Sequence, residues 1–152
     1  MVTSFSGETT SDPGALDDVI AESASVRITA GGGLVYSVDP TEDVLDPAVL
    51  KTVWIMNDGE LARVDDAASL RSLREALRVE SFEDFVCMCP GDLALEFLDE
   101  AGRRLTVVRI DSPGILDWPL WSGVATLRSP SALRTWLAAH GSEGPLTAAE
   151  RR

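Results

Sequence analysis

The chain has 152 residues, 45% hydrophobic and 25% charged, which is enough for one globular domain with a core and excludes a fibrous or wholly disordered architecture. Its formal net charge is −12, and residues 1–50 carry nine acidic side chains against a single basic one. Because this field repels phosphate groups, nucleic acid and anionic membrane surfaces are not expected as partners, whereas a basic protein would be attracted.

The first 24 residues are predicted to form an acidic tail. Residues 1–14 are rich in Ser, Thr, Gly and acidic residues without any periodicity, and residues 15–24 favour no more than two weak helical turns. Such a segment has too little apolar surface to offset the entropy lost on ordering. We therefore expect residues 1–24 to be largely disordered.

Two β-hairpins are predicted next. Apolar side chains alternate in residues 25–30 and 34–38, on either side of three consecutive glycines, which is typical of an antiparallel pair. Residues 52–56 and 61–64 flank the turn-forming stretch 57–60 in the same way. Between the hairpins, Asp46 followed by Pro47 predicts a short helical turn over 47–51.

A helix is predicted from residues 65–66 to about residue 79, because Ala67, Leu70, Leu73 and Leu77 recur at helical spacing. Strands are predicted over 85–89, 93–99 and 104–110, joined by turns, with a further strand at 115–118. These strands indicate an antiparallel meander.

The last predicted element is a helix with signals at both ends. Ser129 is suited to cap it, Pro130 to open it and Gly141 to end it. The elements together predict an α+β fold: a mostly antiparallel sheet of six or seven strands with two main helices on one face. Residues 25–141 are expected to form one domain, followed by a frayed tail over 142–152.

Segments that would direct the chain to a membrane or out of the cell are not evident. No apolar run approaches the roughly 18 residues of a membrane-spanning helix, and residues 1–25 contain neither a basic residue nor an apolar signal core. Two cysteines are too few for a disulfide-stabilised secreted domain. We expect a cytoplasmic protein.

Chemistry-bearing residues are sparse. Cys87 and Cys89 would face the same way in a strand and could share a metal ion, but a tetrahedral zinc site needs two more ligands. Core packing is the alternative for both thiols. His140 is expected to interact with the free carbonyl groups at the helix end rather than to act as a general base. No catalytic residue, metal or cofactor is predicted.

The most suggestive segment is 111–121, which combines tryptophans, prolines and acids as recognition surfaces do. We hypothesise that it binds a partner protein, with an exposed tryptophan as anchor; in the alternative, both tryptophans fold back over the sheet. The residues assigned to this site are Asp111, Asp117, Trp118, Leu120 and Trp121.

These features favour a non-catalytic cytoplasmic module that binds a basic protein. In size and acidity the chain is similar in type to bacterial accessory proteins that neutralise a basic partner, such as toxin immunity proteins, although it shares no motif with them. One alternative is a small-ligand-binding protein or enzyme with a pocket on the sheet. The other is a subunit of a homo-oligomer.

Overall fold

A computed structural model of the chain describes residues 12–30, 34–35, 53–54, 60–83, 92–111, 114–118, 121, 123–142 and 144–145. Nine strands lie within these residues: β1 (Ser25–Ala30), β2 (Leu34–Val35), β3 (Val53–Trp54), β4 (Glu60–Val64), β5 (Val79–Phe82), β6 (Leu93–Leu98), β7 (Arg104–Ile110), β8 (Ile115–Asp117) and β9 (Ala125–Leu127).

Seven of these strands form one antiparallel sheet in the order β4-β1-β6-β7-β8-β9-β5, and β2 pairs separately with β3. The centre of the sheet is the long β1-β6-β7 ladder, in which Val26 lies opposite Phe97 and Leu95 opposite Val108. The α+β class and the antiparallel sheet predicted from the sequence are therefore confirmed.

Within the described residues, three helices accompany the sheet: α1 (Pro13–Ala21), α2 (Ala67–Ala76) and α3 (Pro130–Ala139). Each begins where a side-chain oxygen accepts a hydrogen bond from a free backbone N–H: Asp12 caps α1, Asp66 caps α2 and Ser129 caps α3. At the end of α3, Gly141 adopts a φ of 70°, which a glycine reaches without steric cost.

The two faces of the sheet differ. On one face, the apolar side chains of the strands join those of all three helices in a single core, to which Leu16 and Ile20 of α1, Leu73 of α2 and Leu137 of α3 contribute. The opposite face carries the alternate residues of each strand and is buried as well, with Thr29, Glu96 and Arg109 among its members. Charged groups are thus held within the fold.

The first predicted hairpin is wrong, and residues 52 and 55–59, which make up most of the predicted turn and first strand of the second, lie outside the described residues. β1 pairs with β4 and β6 rather than with residues 34–38, and β2 pairs with β3 across 17 intervening positions. Turn-forming residues next to alternating apolar ones indicate that the chain can reverse direction there. Which strands then pair is determined by the packing of their side chains in the core. The predicted turn at 47–51 and strand at 85–89 lie outside the described residues.

The predicted tail over 1–24 is wrong for residues 12–24. Leu16 and Ile20 are 2% exposed and belong to the main core. The indole of Trp121 donates to the carbonyl oxygen of Asp12, and the backbone N–H of Ala24 donates to that of Leu98. Residues 12–24 are therefore part of the domain. At the other end, Ser142 is fully buried although it lies in the predicted C-terminal tail.

Candidate interaction sites

The two tryptophans of the predicted recognition segment are buried. Trp118 is 1% exposed and Trp121 4% exposed, and their rings meet edge to face with centroids 5.4 Å apart. The Trp118 indole donates a 2.8 Å hydrogen bond to the Thr106 hydroxyl, while Trp121 packs edge to face on Phe82. Neither tryptophan is exposed as an anchor. Both rings fold back over the sheet and complete the core, as the alternative hypothesis predicted.

The acidic residues of that segment, Asp111 and Asp117, do not form one exposed surface with the two tryptophans. Asp111 follows β7 and is half-buried, and Asp117 lies on β8 opposite Arg109, with which it forms an ion pair. Leu120 lies outside the described residues. A partner-binding role for the segment stays a prediction, but its residues do not share one exposed surface.

The Arg109–Asp117 pair lies on the face of the sheet opposite the helices, which also carries an ion-pair network centred on Glu96. Glu96 accepts a 3.1 Å hydrogen bond from Arg104 and lies 3.6 Å from the Arg27 guanidinium. Arg27 also donates to Glu60, and this bond lowers the pKa of the Glu60 carboxyl. The side chains of Arg104 and Arg109 are only 12% and 4% exposed, so their ion pairs are largely buried. Because side chains alternate along each strand, the charged groups lie together on this face of the sheet. Their burial is tolerated because each is paired with a group of opposite charge.

A groove runs between α2 and α3 on the outer side of the helices. It has a volume of about 640 Å³ and is lined mainly by small side chains: Ala68 and Ser72 from α2, and Ser131, Ala132, Thr135 and Ala139 from α3. Trp136 lies between the helices, since its indole donates a 2.9 Å hydrogen bond from α3 to the carbonyl of Ser69 on α2. Small side chains on both walls leave the helix backbones accessible.

The groove has an acidic surround. Glu75 lines it, and Asp65 and Asp66 lie exposed at the start of α2. The His140 ring stacks on Trp136 with centroids 4.2 Å apart, and its Nδ1 is 2.8 Å from the Trp136 carbonyl oxygen. This contact confirms the expectation that His140 interacts with the carbonyl groups at the end of the helix.

A second, smaller concavity lies beneath α1, with a volume of about 240 Å³. Its apolar lining comes from Leu16, Ile20, Leu77 and Val79, and its polar lining from Asp17 and three arginines: Arg74, Arg78 and Arg128. The four-residue spacing of Arg74 and Arg78 could have shown that they lie on the same side of the chain at the end of α2, but Arg128 joins them only through sheet pairing.

Two of these guanidinium groups are already engaged. Arg74 binds the Asp17 carboxylate through two hydrogen bonds of 2.9 and 3.0 Å, which lower the pKa of Asp17 and raise that of Arg74. Arg78 binds Glu75 through two bonds of 2.9 Å, which lower the pKa of Glu75. No described residue accepts a hydrogen bond from the Arg128 guanidinium.

Cys87 and Cys89 lie outside the described residues, so their metal-site alternative stays a prediction. Within the described ranges no three His, Cys, Asp or Glu side chains converge as metal ligands would, and no described helix has the length and apolarity to cross a bilayer. In comparisons with known proteins, no protein-family model, no curated protein and no solved structure matches the chain.

Proposed function

We propose that the protein is a non-catalytic interaction module of the cytoplasm that binds a basic partner protein, and that the groove between α2 and α3 receives a helical segment of that partner. The observation that carries the proposal is the lining of the groove: small side chains on two neighbouring helices, with an acidic surround.

Such a surface favours the docking of a helix for two reasons. The distance between packed helices is set by the side chains at the contact, so alanine and serine permit a close approach. Alanine also loses no side-chain entropy when it is covered, whereas a long side chain loses up to about 2 kcal/mol. A partner helix would therefore be bound with little ordering cost on this side of the interface.

The charge of the molecule favours a basic occupant. The chain has a net charge of −12, Glu75 lines the groove, and Asp66 lies close enough to His140, another lining residue, for their charges to interact. Opposite charge on the two surfaces speeds encounter and discriminates against acidic competitors. A role of the immunity or regulatory type, in which an acidic protein neutralises a basic one, agrees with this arrangement.

The test exploits two adjacent alanines of α3. Ala139 lines the groove, whereas Ala138 is exposed outside it, so Ala139→Arg and Ala138→Arg add the same bulk and charge. Both variants and the wild type would be used to capture binding proteins from a lysate of the cell of origin at about 50 and 500 mM salt. We expect a basic protein that the wild type and Ala138→Arg retain, that Ala139→Arg loses and that high salt releases.

Calorimetry with the captured protein then measures the effect. The affinity of Ala139→Arg should be at least about tenfold lower, which corresponds to about 1.4 kcal/mol, and that of Ala138→Arg close to the wild type. Equal binding by both variants, or binding that salt does not weaken, would refute the proposal. So would a dimer of this chain, detected by light scattering, that Ala139→Arg dissociates, because a second copy would then occupy the groove.

A further inference from the structure

The cavity beneath α1 has the composition of a ligand site. We propose that it binds a small organic monocarboxylate, with the carboxylate on Arg128 and a short apolar body against Leu16, Ile20 and Leu77. This inference is independent of the proposed partner groove, which lies on the other flank of α2.

The first support is a local reversal of charge. The residues that line the cavity include three arginines and one aspartate, a sum of +2 in a chain whose net charge is −12. Outside the lining, Glu75 is bonded to Arg78 and the charge of Asp18 acts on Arg74, so these two acids bring the wider sum to zero and the positive excess is confined to the lining itself. An anion would thus meet a favourable field here although the molecule as a whole repels it.

The second support is how the arginines are held. The backbone N–H of Arg128 donates a 2.8 Å hydrogen bond to the carbonyl oxygen of Arg78, at the point where β9 ends beside the start of β5. The sheet therefore holds the backbones of two arginines side by side. Of the two, Arg78 binds a carboxylate, whereas Arg128 binds none among the described residues. A ligand carboxylate on Arg128 would complete a third pair of the kind that Arg74 and Arg78 already make.

The third support is size and lining. Leu16 and Ile20 are 2% exposed and Leu77 is 5% exposed, so the floor of the cavity is apolar and part of the core. A volume of about 240 Å³ holds about eight atoms the size of a water molecule, at roughly 30 Å³ each in the liquid. One carboxylate on a body of five carbons fits this space, and its charge of −1 matches the one lining guanidinium that has no carboxylate partner among the described residues.

Hexanoate is a suitable probe, with hexanamide as the neutral control of the same shape and acetate as the head without the body. Titrations followed by backbone NMR should show saturable shifts in α1 and around Val79 with hexanoate. Hexanamide and acetate should bind at least about tenfold more weakly, because each lacks one of the two interactions. Equal binding of hexanamide, shifts confined to other regions, or no binding at millimolar hexanoate would overturn the proposal.

The matched variants are Arg128→Gln and Arg63→Gln, which remove the same charge at distant places in the sheet: Arg128 follows β9, and Arg63 lies in β4, the edge strand on the other side. Arg128 makes no side-chain bond to a described residue, and Arg63 makes only an exposed 3.4 Å contact with Glu60, so neither change should disturb the fold. Arg128→Gln should weaken hexanoate binding about tenfold or more, and Arg63→Gln should not. An equal loss in both would show a general charge effect and refute the site. Neither variant touches the groove, so the outcome is separate from that of the partner proposal.

Discussion

At the scale of single residues, tryptophan shows most clearly how one sequence pattern permits two different roles. A tryptophan between prolines and acids can anchor a partner or close a core, and composition does not separate the two roles. The structure separates them through one bond: the Trp118 indole N–H finds the Thr106 hydroxyl inside the core. A buried indole needs such an acceptor, and Thr106 is 12 residues away along the chain, which local pattern does not reveal.

Replacing Trp118 tests its role as a core residue. Trp118→Ala should lower the free energy of unfolding by about 3–5 kcal/mol, because it leaves a cavity and removes the partner of the Thr106 hydroxyl. Leu61→Ala is the control, since Leu61 is 37% exposed and its truncation should change the stability by no more than about 0.5 kcal/mol. Urea unfolding followed by circular dichroism measures both, and a similar small effect of the two substitutions would contradict the buried role.

At the scale of elements, the sequence predicted what is locally encoded. The caps Asp66 and Ser129 and the glycine at 141 mark α2 and α3 correctly, because capping is a short-range hydrogen bond. The meander of β6 and β7 was predicted from alternation and a tight turn. The pairing of β1 with β4 and β6 was not, because strands distant in the chain choose each other through their side chains on the shared face.

Two further strands escaped prediction for a related reason. β9 has three residues and β5 four, too short for alternation to stand out from the background. Their pairing nevertheless places Arg128 next to Arg78, so the candidate cavity depends on elements that the sequence did not reveal. The groove was missed differently, since small exposed residues in a helix carry no signal of their own.

The inclusion of α1 in the domain can be tested by truncating its core contacts. Ile20→Ala should destabilise the protein by about 2–5 kcal/mol, because the side chain is 2% exposed and packs in the main core. The neighbouring Val19 is only partly buried, so Val19→Ala should cost distinctly less. Equilibrium urea unfolding gives both values. If Ile20→Ala had no effect, residues 12–24 would be a tail as the sequence suggested.

At the scale of the whole molecule, the fold sorts its charges. Acidic residues prevail overall, yet α2 separates a small-residue flank facing the groove from an arginine flank facing the cavity. The same helix therefore contributes to both proposed sites. Glu75 of the groove is bonded to Arg78 of the cavity, so binding at one site could alter the other through this ion pair as well as through α2. Wild-type titrations in the presence of the second ligand would reveal such coupling directly.

Acid stability follows from the engaged carboxylates. Hydrogen bonds lower the pKa of five of them: Asp17, Glu60, Asp66, Glu75 and Asp99. Each then binds fewer protons in the folded than in the unfolded state, so its stabilisation is present above the ordinary value, 3.8 for Asp and 4.5 for Glu. That stabilisation is lost as the pH falls through the lower, folded value. The relief of repulsion among the other acids acts in the opposite direction, so a single pair gives the cleaner measurement.

Asp17→Asn and Asp18→Asn provide that comparison, because they remove the same charge from adjacent positions of α1 and only Asp17 binds Arg74. At neutral pH the urea midpoint of Asp17→Asn should lie below that of Asp18→Asn, since the guanidinium has lost its two-bond partner. The difference should begin to narrow as the pH falls below the ordinary value of 3.8 and should close below the lowered pKa of folded Asp17, where that carboxylate becomes protonated and the pair ceases to stabilise the fold. Measuring the wild type alongside shows this directly, because its advantage over Asp17→Asn must vanish over the same interval. An advantage that persists at low pH would mean that packing of the side chain, rather than its charge, joins α1 to α2.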